Sequence, residues 1–172
     1  LDHIKKCIEK GVDINAKDNK GWTALMYAAM YSNNTSSLET VRLLLEKSVN
    51  INAKDNKGWT ALMYAASYSN NTSSLETVRL LLEKGADVNA KDNKGLTALM
   101  RGVRCLYNIS RLETVQLLLE KGADVNAKDN EGWTVLMRTM DKSNLEESFK
   151  NVKLLLKNGV DINVKNNSGD TA

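Results

Sequence analysis

The chain predicts an all-α solenoid, a row of stacked helix pairs joined by projecting turns. Three observations predict it. The segment Asn-Ala-Lys-Asp-Asn begins at Asn15, Asn52, Asn89 and Asn126, a degenerate Asn-Val-Lys-Asn-Asn begins at Asn163, and each start lies 37 residues after the one before. Within each period, apolar residues recur at helical spacing, as at Leu38, Val41, Leu44 and Leu45. A second, shorter apolar segment carries paired small residues, Ala28-Ala29 in the first whole unit. One such unit cannot bury its own apolar face, so neighbours stack and share a continuous core.

The units follow in order. Residues 1–14 form a partial unit, with Ile4, Cys7 and Ile8 where Val41, Leu44 and Leu45 stand later. Whole units occupy 15–51, 52–88, 89–125 and 126–162, and 163–172 begin another. Both ends are therefore expected to be cut from a longer array, and no polar capping repeat is visible. Each unit opens on a turn, Asp18-Asn19-Lys20-Gly21 in the first, because Asn and Gly supply backbone conformations other residues resist. A short helix is expected from about Thr23 to Tyr31, with Leu25 and the alanines on one face. The polar loop Ser32-Asn33-Asn34-Thr35 follows, then a helix from about Ser37 to Lys47. Ser36 with Glu39, Ser73 with Glu76 and Ser110 with Glu113 have capping-box spacing; Glu147 and Lys150 lose it in the fourth unit. Gly85, Gly122 and Gly159 are expected to end their helices, whereas Ser48 leaves the first less well capped.

Composition narrows the function. Hydrophobic residues make 42% of the chain and charged residues 26%, so it can bury a core and remain soluble. Net charge is +3, too small to imply an anionic partner by itself. No apolar run approaches the ~18 residues of a membrane span. Cys7 and Cys105 form no CxxC pair, and Cys7 is expected in the core and Cys105 near the surface. The chain holds one histidine, His3, expected to be inert at the surface, and a Ser–His–Asp or Cys–His set could be assembled only through it. Neither a Walker-type glycine loop nor a calcium-loop pattern occurs. No cofactor or metal is expected, and a non-catalytic role is.

The stretch from Gly21 through Trp22-Thr23-Ala24-Leu25-Met26-Tyr27 to Ala28-Ala29, followed by Val41-Arg42-Leu43-Leu44-Leu45-Glu46-Lys47, resembles the ankyrin repeat. Gly85-Ala86-Asp87-Val88-Asn89-Ala90 is similar to that family's linking segment. The resemblance recurs in register over essentially the whole chain. It implies projecting turn or hairpin loops, a concave groove and a protein partner. Two departures are systematic. Ala24 and Met26 stand where the family carries Pro and His. Apolar packing is expected to compensate for the lost histidine hydrogen bond. Each unit is also four residues longer than the usual ~33, the excess lying between its helices. The Thr-Ala-Leu-Met-Tyr-Ala-Ala style resembles ankyrin proteins of host-associated bacteria. Gly102-Val103 and Thr139-Met140 replace the paired alanines, which predicts looser or shifted packing in the third and fourth units.

The resemblance also locates candidate binding residues. Trp22, Trp59 and Trp133, with Leu96 in the third unit, fall on the limb of projecting turns. They either contact a partner, as aromatic anchors do, or pack turn on turn. Met30, Tyr31, Tyr68 and Arg104 end the first helices and would line the groove, varying between units while the core does not. Tyr27, Tyr64, Arg101 and Arg138 are expected to be packing residues. Lys20, Lys57 and Lys94 flank the turn tips beside Lys17, Lys54, Lys91 and Lys128. With Asp18, Asp55, Asp92 and Asp129 interleaved, they make either a weak electropositive ridge for an acidic partner or a solvated, mixed-sign surface. A nucleic-acid partner would want a clustered basic stripe. Asn33, Asn34, Asn70, Asn71, Asn108 and Asn166 match glycosylation sequons, expected by chance in Asn-rich loops.

The expected function is thus a protein-interaction module working through its concave face. The alternatives are a structural spacer in a larger protein, or an array assisting an enzyme domain elsewhere in the chain. A monomer is expected, with end-to-end association through apolar end faces as the competing state.

Overall fold

The computed structural model describes residues 10–32, 35–68, 72–103, 109–140 and 145–172; in the helices opening the later stretches, side chains are described from residues 37, 74, 112 and 149. Among the described residues the elements are eight helices and no strand: α1 Ala24–Met30, α2 Thr35–Leu45, α3 Ala61–Tyr68, α4 Thr72–Glu83, α5 Ala98–Gly102, α6 Ile109–Glu120, α7 Val135–Met140 and α8 Leu145–Lys157. Cys7, Arg104, Cys105, His3 and the sequons other than Asn166 lie outside them. The pairs α1/α2, α3/α4, α5/α6 and α7/α8 are the units, and like helices stack: α1 on α3 on α5, α2 on α4 on α6.

Each short helix starts the same way. Thr23 Oγ1 accepts the Met26 N–H at 3.4 Å, while the Thr23 N–H reaches Met26 Sδ at 3.4 Å. Thr134 and Met137 repeat this exchange at 3.4 and 3.5 Å. Thr60 and Thr97 accept from Met63 and Met100, each at 3.3 Å. The methionine sulfur is thus a weak acceptor for the cap N–H. The compensation for the missing histidine is partly polar, not apolar packing alone.

The core runs unbroken along the stack. Leu25, Met26, Leu62, Met63, Leu99 and Met100 supply its inner row, and Val41, Leu44, Val78, Leu81, Val115 and Leu118 its outer row, all buried. Each such burial contributes roughly 1.5–3 kcal/mol before entropy is counted. Ala28, Ala29, Ala65 and Ala66 are buried where α1 and α3 meet, so the backbones can approach closely.

The longer helices begin earlier than the capping-box spacing implies. They open at Thr35, Thr72 and Ile109, which places Ser36, Ser73 and Ser110 inside the first turn instead of at its cap. Their C-termini agree with expectation. At α4 the Gly85 N–H donates to Leu82 O and the Ala86 N–H to Leu81 O, at 3.2 and 2.9 Å, with Gly85 at φ 90°. This left-handed exit satisfies two last-turn carbonyls. At Ser48 no such pair forms; the Val49 N–H turns to Lys47 O, and α2 stops at Leu45.

In the third unit helix α5 spans five residues, against seven for α1. Thr139 is buried and donates its hydroxyl to Val135 O at 2.8 Å, which satisfies it inside the helix. Ser32, expected in a polar loop, is buried, donates to Ala29 O at 2.9 Å and accepts from Ser74 Oγ of the next unit at 3.0 Å.

Candidate functional site

The turn tips are built around one carboxylate each. In the second unit Asp55 Oδ1 accepts the Lys57 and Trp59 N–H groups, each at 2.8 Å, and Oδ2 accepts the Tyr64 hydroxyl at 2.6 Å. Asp18 does the same with Lys20, Trp22 and Tyr27, each at 2.8 Å. In the third unit Asp92 takes the Lys94 and Leu96 N–H groups at 2.8 and 2.9 Å, and Arg101 replaces tyrosine as the donor to Oδ2. Arg138 bonds Asp129 likewise, its Nε at 2.8 Å. Asp55, Asp92 and Asp129 are buried. The expectation of solvated, charge-cancelling aspartates is corrected here: their oxygens are consumed beneath the turn. Tyr27, Tyr64, Arg101 and Arg138 are more than packing residues, since each closes its own unit's turn.

These bonds shift titration. The Trp22 N–H, then the Tyr27 hydroxyl, hold Asp18 below the usual carboxylate value. The bond to Asp18, then desolvation, pushes Tyr27 up. Burial first, and the Asp55 bond second, push Tyr64 far above the ordinary tyrosine value.

The tips also lock to one another. Asn56, Asn93, Asn130 and Asn167 donate their N–H groups to Lys20, Lys57, Lys94 and Glu131 carbonyls of the preceding unit, at 3.0 to 3.1 Å. The Asn56 side chain donates to Asn19 O at 3.0 Å. Gly58 lies at φ 78°, and a Cβ there would meet Asn93 Oδ1 at 2.6 Å and Asn93 N at 2.7 Å. Glycine is required by the next turn's closeness as well as by its own angle. Lys17, Lys54 and Lys91 each extend Nζ to the carbonyl of the lysine 37 residues on, at 2.8 Å. These three are ties between units.

The predicted contact residues separate accordingly. Trp22, Trp59 and Trp133 are half-buried. The Trp22 ring lies 4.8 Å from Tyr27 and 4.4 Å from Tyr64 of the next unit, and Trp59 lies 4.8 Å from Tyr64. Arg101 places Cζ 3.7 Å over the Trp59 ring, and Arg138 sits 5.4 Å over Trp133. Trp22 and Trp59 therefore pack against the next unit, through an aromatic ring and a cation respectively, whereas Trp133 meets the cation of its own unit. Leu96 is only 2% exposed. Met30 is half-buried, while Tyr31 and Tyr68 are 55% and 44% exposed at equivalent places in successive units. Lys20, Lys57 and Lys94 are exposed.

Four of the predicted residues come together. Lys57, Trp59, Lys94 and Leu96, joined by Asp92 and Arg101, line a concavity of about 410 Å³ between the tips of the second and third units. Arg101 and Asp92, with Asn56 and Asn93, are the lining residues the sequence-based site lacked. Among the described residues, no group of three or more His, Cys, Asp or Glu side chains could hold a metal ion, and no helix is long and apolar enough to cross a membrane.

The chain matches the family model described as Ankyrin repeats (3 copies) over residues 1–92, 71–129 and 99–172. An ankyrin repeat protein of Acanthamoeba polyphaga mimivirus is 50% identical over 44 residues, which are 26% of this chain and 8% of that protein. The chain thus aligns with a small part of that relative. The relative is viral, so it lends no support to the bacterial source expected from the sequence style.

Proposed function

This chain belongs to the ankyrin-repeat family, and from that membership we propose that it is a non-catalytic module that binds a protein partner through the concave side of the stack. Ankyrin repeats are in general protein–protein interaction modules. The observation that carries the reading is the convergence of Lys57, Trp59, Lys94 and Leu96 on one concavity. Exposed Tyr31 and Tyr68 add a second row at the helix ends, an amphipathic residue type enriched at interfaces.

Trp22 and Trp59 are poor probes of this reading, because their rings pack against the neighbouring unit. Tyr31 and Tyr68 are better ones. The array and its Tyr31→Ser/Tyr68→Ser variant serve as baits, with circular dichroism melts establishing that both are folded. The expected result is a partner captured by the parent and reduced at least about tenfold on the variant, as for loss of interface anchors. Equal capture by both folded baits removes the concave side from the reading.

A further inference from the structure

The concavity between the second and third tips has an unusual floor. The other three tips carry tryptophan at this position, and the third carries Leu96. Leucine is smaller than indole, and an indole at 96 would occupy part of the 410 Å³. What remains has the half-buried Trp59 ring as its apolar wall, covered on one side by Arg101, with Leu96 closing the base at only 2% exposure.

The rim is cationic. Asp92 lines the same space, yet its side chain is 1% exposed, and its oxygens are taken by the Lys94 and Leu96 N–H groups and by Arg101. Its charge is matched by Arg101 at the level of the floor. Lys57 and Lys94 line the same space and are exposed, while their backbone N–H groups turn inward to Asp55 and Asp92. Among the described residues, no carboxylate lies within ion-pair distance of either ammonium. The space thus offers an incoming anion two such lysines together with the Trp59 ring.

We infer that this notch takes a glutamate side chain from an acidic segment of the partner. Its carboxylate sits between Lys57 and Lys94, and its methylenes lie against Trp59 in the space that the smaller Leu96 leaves open. The inference rests on the proposed protein-binding role and names the partner's chemistry at one point of contact. An aliphatic stem ending in a carboxylate matches both layers of the site, which a bare phosphate or an apolar side chain does not.

The probe is fluorescein-labelled hexaglutamate, followed by anisotropy at low and high ionic strength. Leu96→Trp fills the notch with the residue its sibling tips already carry. Lys57→Gln/Lys94→Gln removes the rim charge, and Lys153→Gln/Lys157→Gln on α8 removes equal charge elsewhere. Expected are saturable binding by the parent, a drop of roughly tenfold or more for Leu96→Trp and for the rim pair, and a change within about twofold for the α8 pair. The inference is overturned if hexaglutamine binds the parent equally well, or if the α8 pair costs as much as the rim pair. It is equally overturned if a folded Leu96→Trp variant binds like the parent. A single-stranded oligonucleotide that binds as tightly and ignores Leu96→Trp would show a general polyanion effect and also overturn it. Should Leu96→Trp fail to fold, the rim pair decides, since neither lysine side chain holds a bond among the described residues. Partner capture lost on Tyr31→Ser/Tyr68→Ser, alongside no hexaglutamate binding, sinks this inference and leaves the broader reading standing.

Discussion

At the scale of the residue, the two oxygens of each turn aspartate divide the work. One gathers the backbone of its own turn, and the other anchors a donor from the helix that follows. Where that donor is Tyr64, titration becomes stability. Its folded value is raised, so the folded state still holds the proton when the unfolded chain, near the ordinary value of 10.0, has lost it. The contribution is therefore intact below about pH 10 and declines as pH rises above it. Urea midpoints measured between about pH 9 and pH 11 should fall for the parent and fall less for Tyr64→Phe. At neutral pH that substitution should cost about 1.5–3 kcal/mol, as for a hydrogen bond to a charged group. An equal alkaline decline in both proteins would remove Tyr64 as its source. The pairing was hard to see in the sequence because nine residues separate the partners, a spacing with no helical or strand meaning. A signal was present nonetheless. Aspartate holds the turn in all four whole units, and the facing position is Tyr, Tyr, Arg and Arg, every one a donor. Burial of the aspartates was equally hidden, since charge counting assigns them to water.

At the scale of the element, two glycines in one stack call for opposite outcomes. Gly58→Ala forces a Cβ against the next unit's backbone from a left-handed position, and should cost about 1–3 kcal/mol for the conformation alone. Gly102 ends α5 without such an angle, and a Cβ there would sit 3.6 Å from Val115 Cγ2, an ordinary contact. Gly102→Ala should stabilise by roughly 0.4–1 kcal/mol. Thermal melts of the two variants should move in opposite directions from the parent. A lowered melt for Gly102→Ala would mean that the short α5 is required by its neighbours and not a consequence of its residues. Both helices of each unit, and their glycine exits, were legible because their periodicity and end residues are local. The starts at Thr35, Thr72 and Ile109 were not. Ser-x-x-Glu spacing fits a cap and an interior first turn equally well, and neighbouring packing decides between them. The convergence of Lys57, Trp59, Lys94 and Leu96 followed from register alone, whereas the part played by Arg101 depends on a contact between units.

At the scale of the whole molecule, stability is a sum over units and the interfaces between them. The interface of α5 with α7 is much sparser than those α3 makes with α1 and α5. The fourth unit should therefore open before the second. Amide hydrogen exchange should show less protection in α7 and α8 than in α3 and α4. Uniform protection along the array would instead indicate one cooperative block. The ties between units carry a different consequence. The lysine bridges Lys17 to Lys54, Lys54 to Lys91 and Lys91 to Lys128 begin and end at the same place in the period. So do the asparagine bonds at the tips. Each unit arrives with both halves of the joint it needs. A gene segment encoding one period can be copied or lost in frame without orphaning a donor or an acceptor at the seam. Residues 15–47 and 52–84 differ only at Met30 against Ser67, as a recent copying event would leave them. Such an array can change its reach by whole periods far faster than point mutation could rebuild a surface.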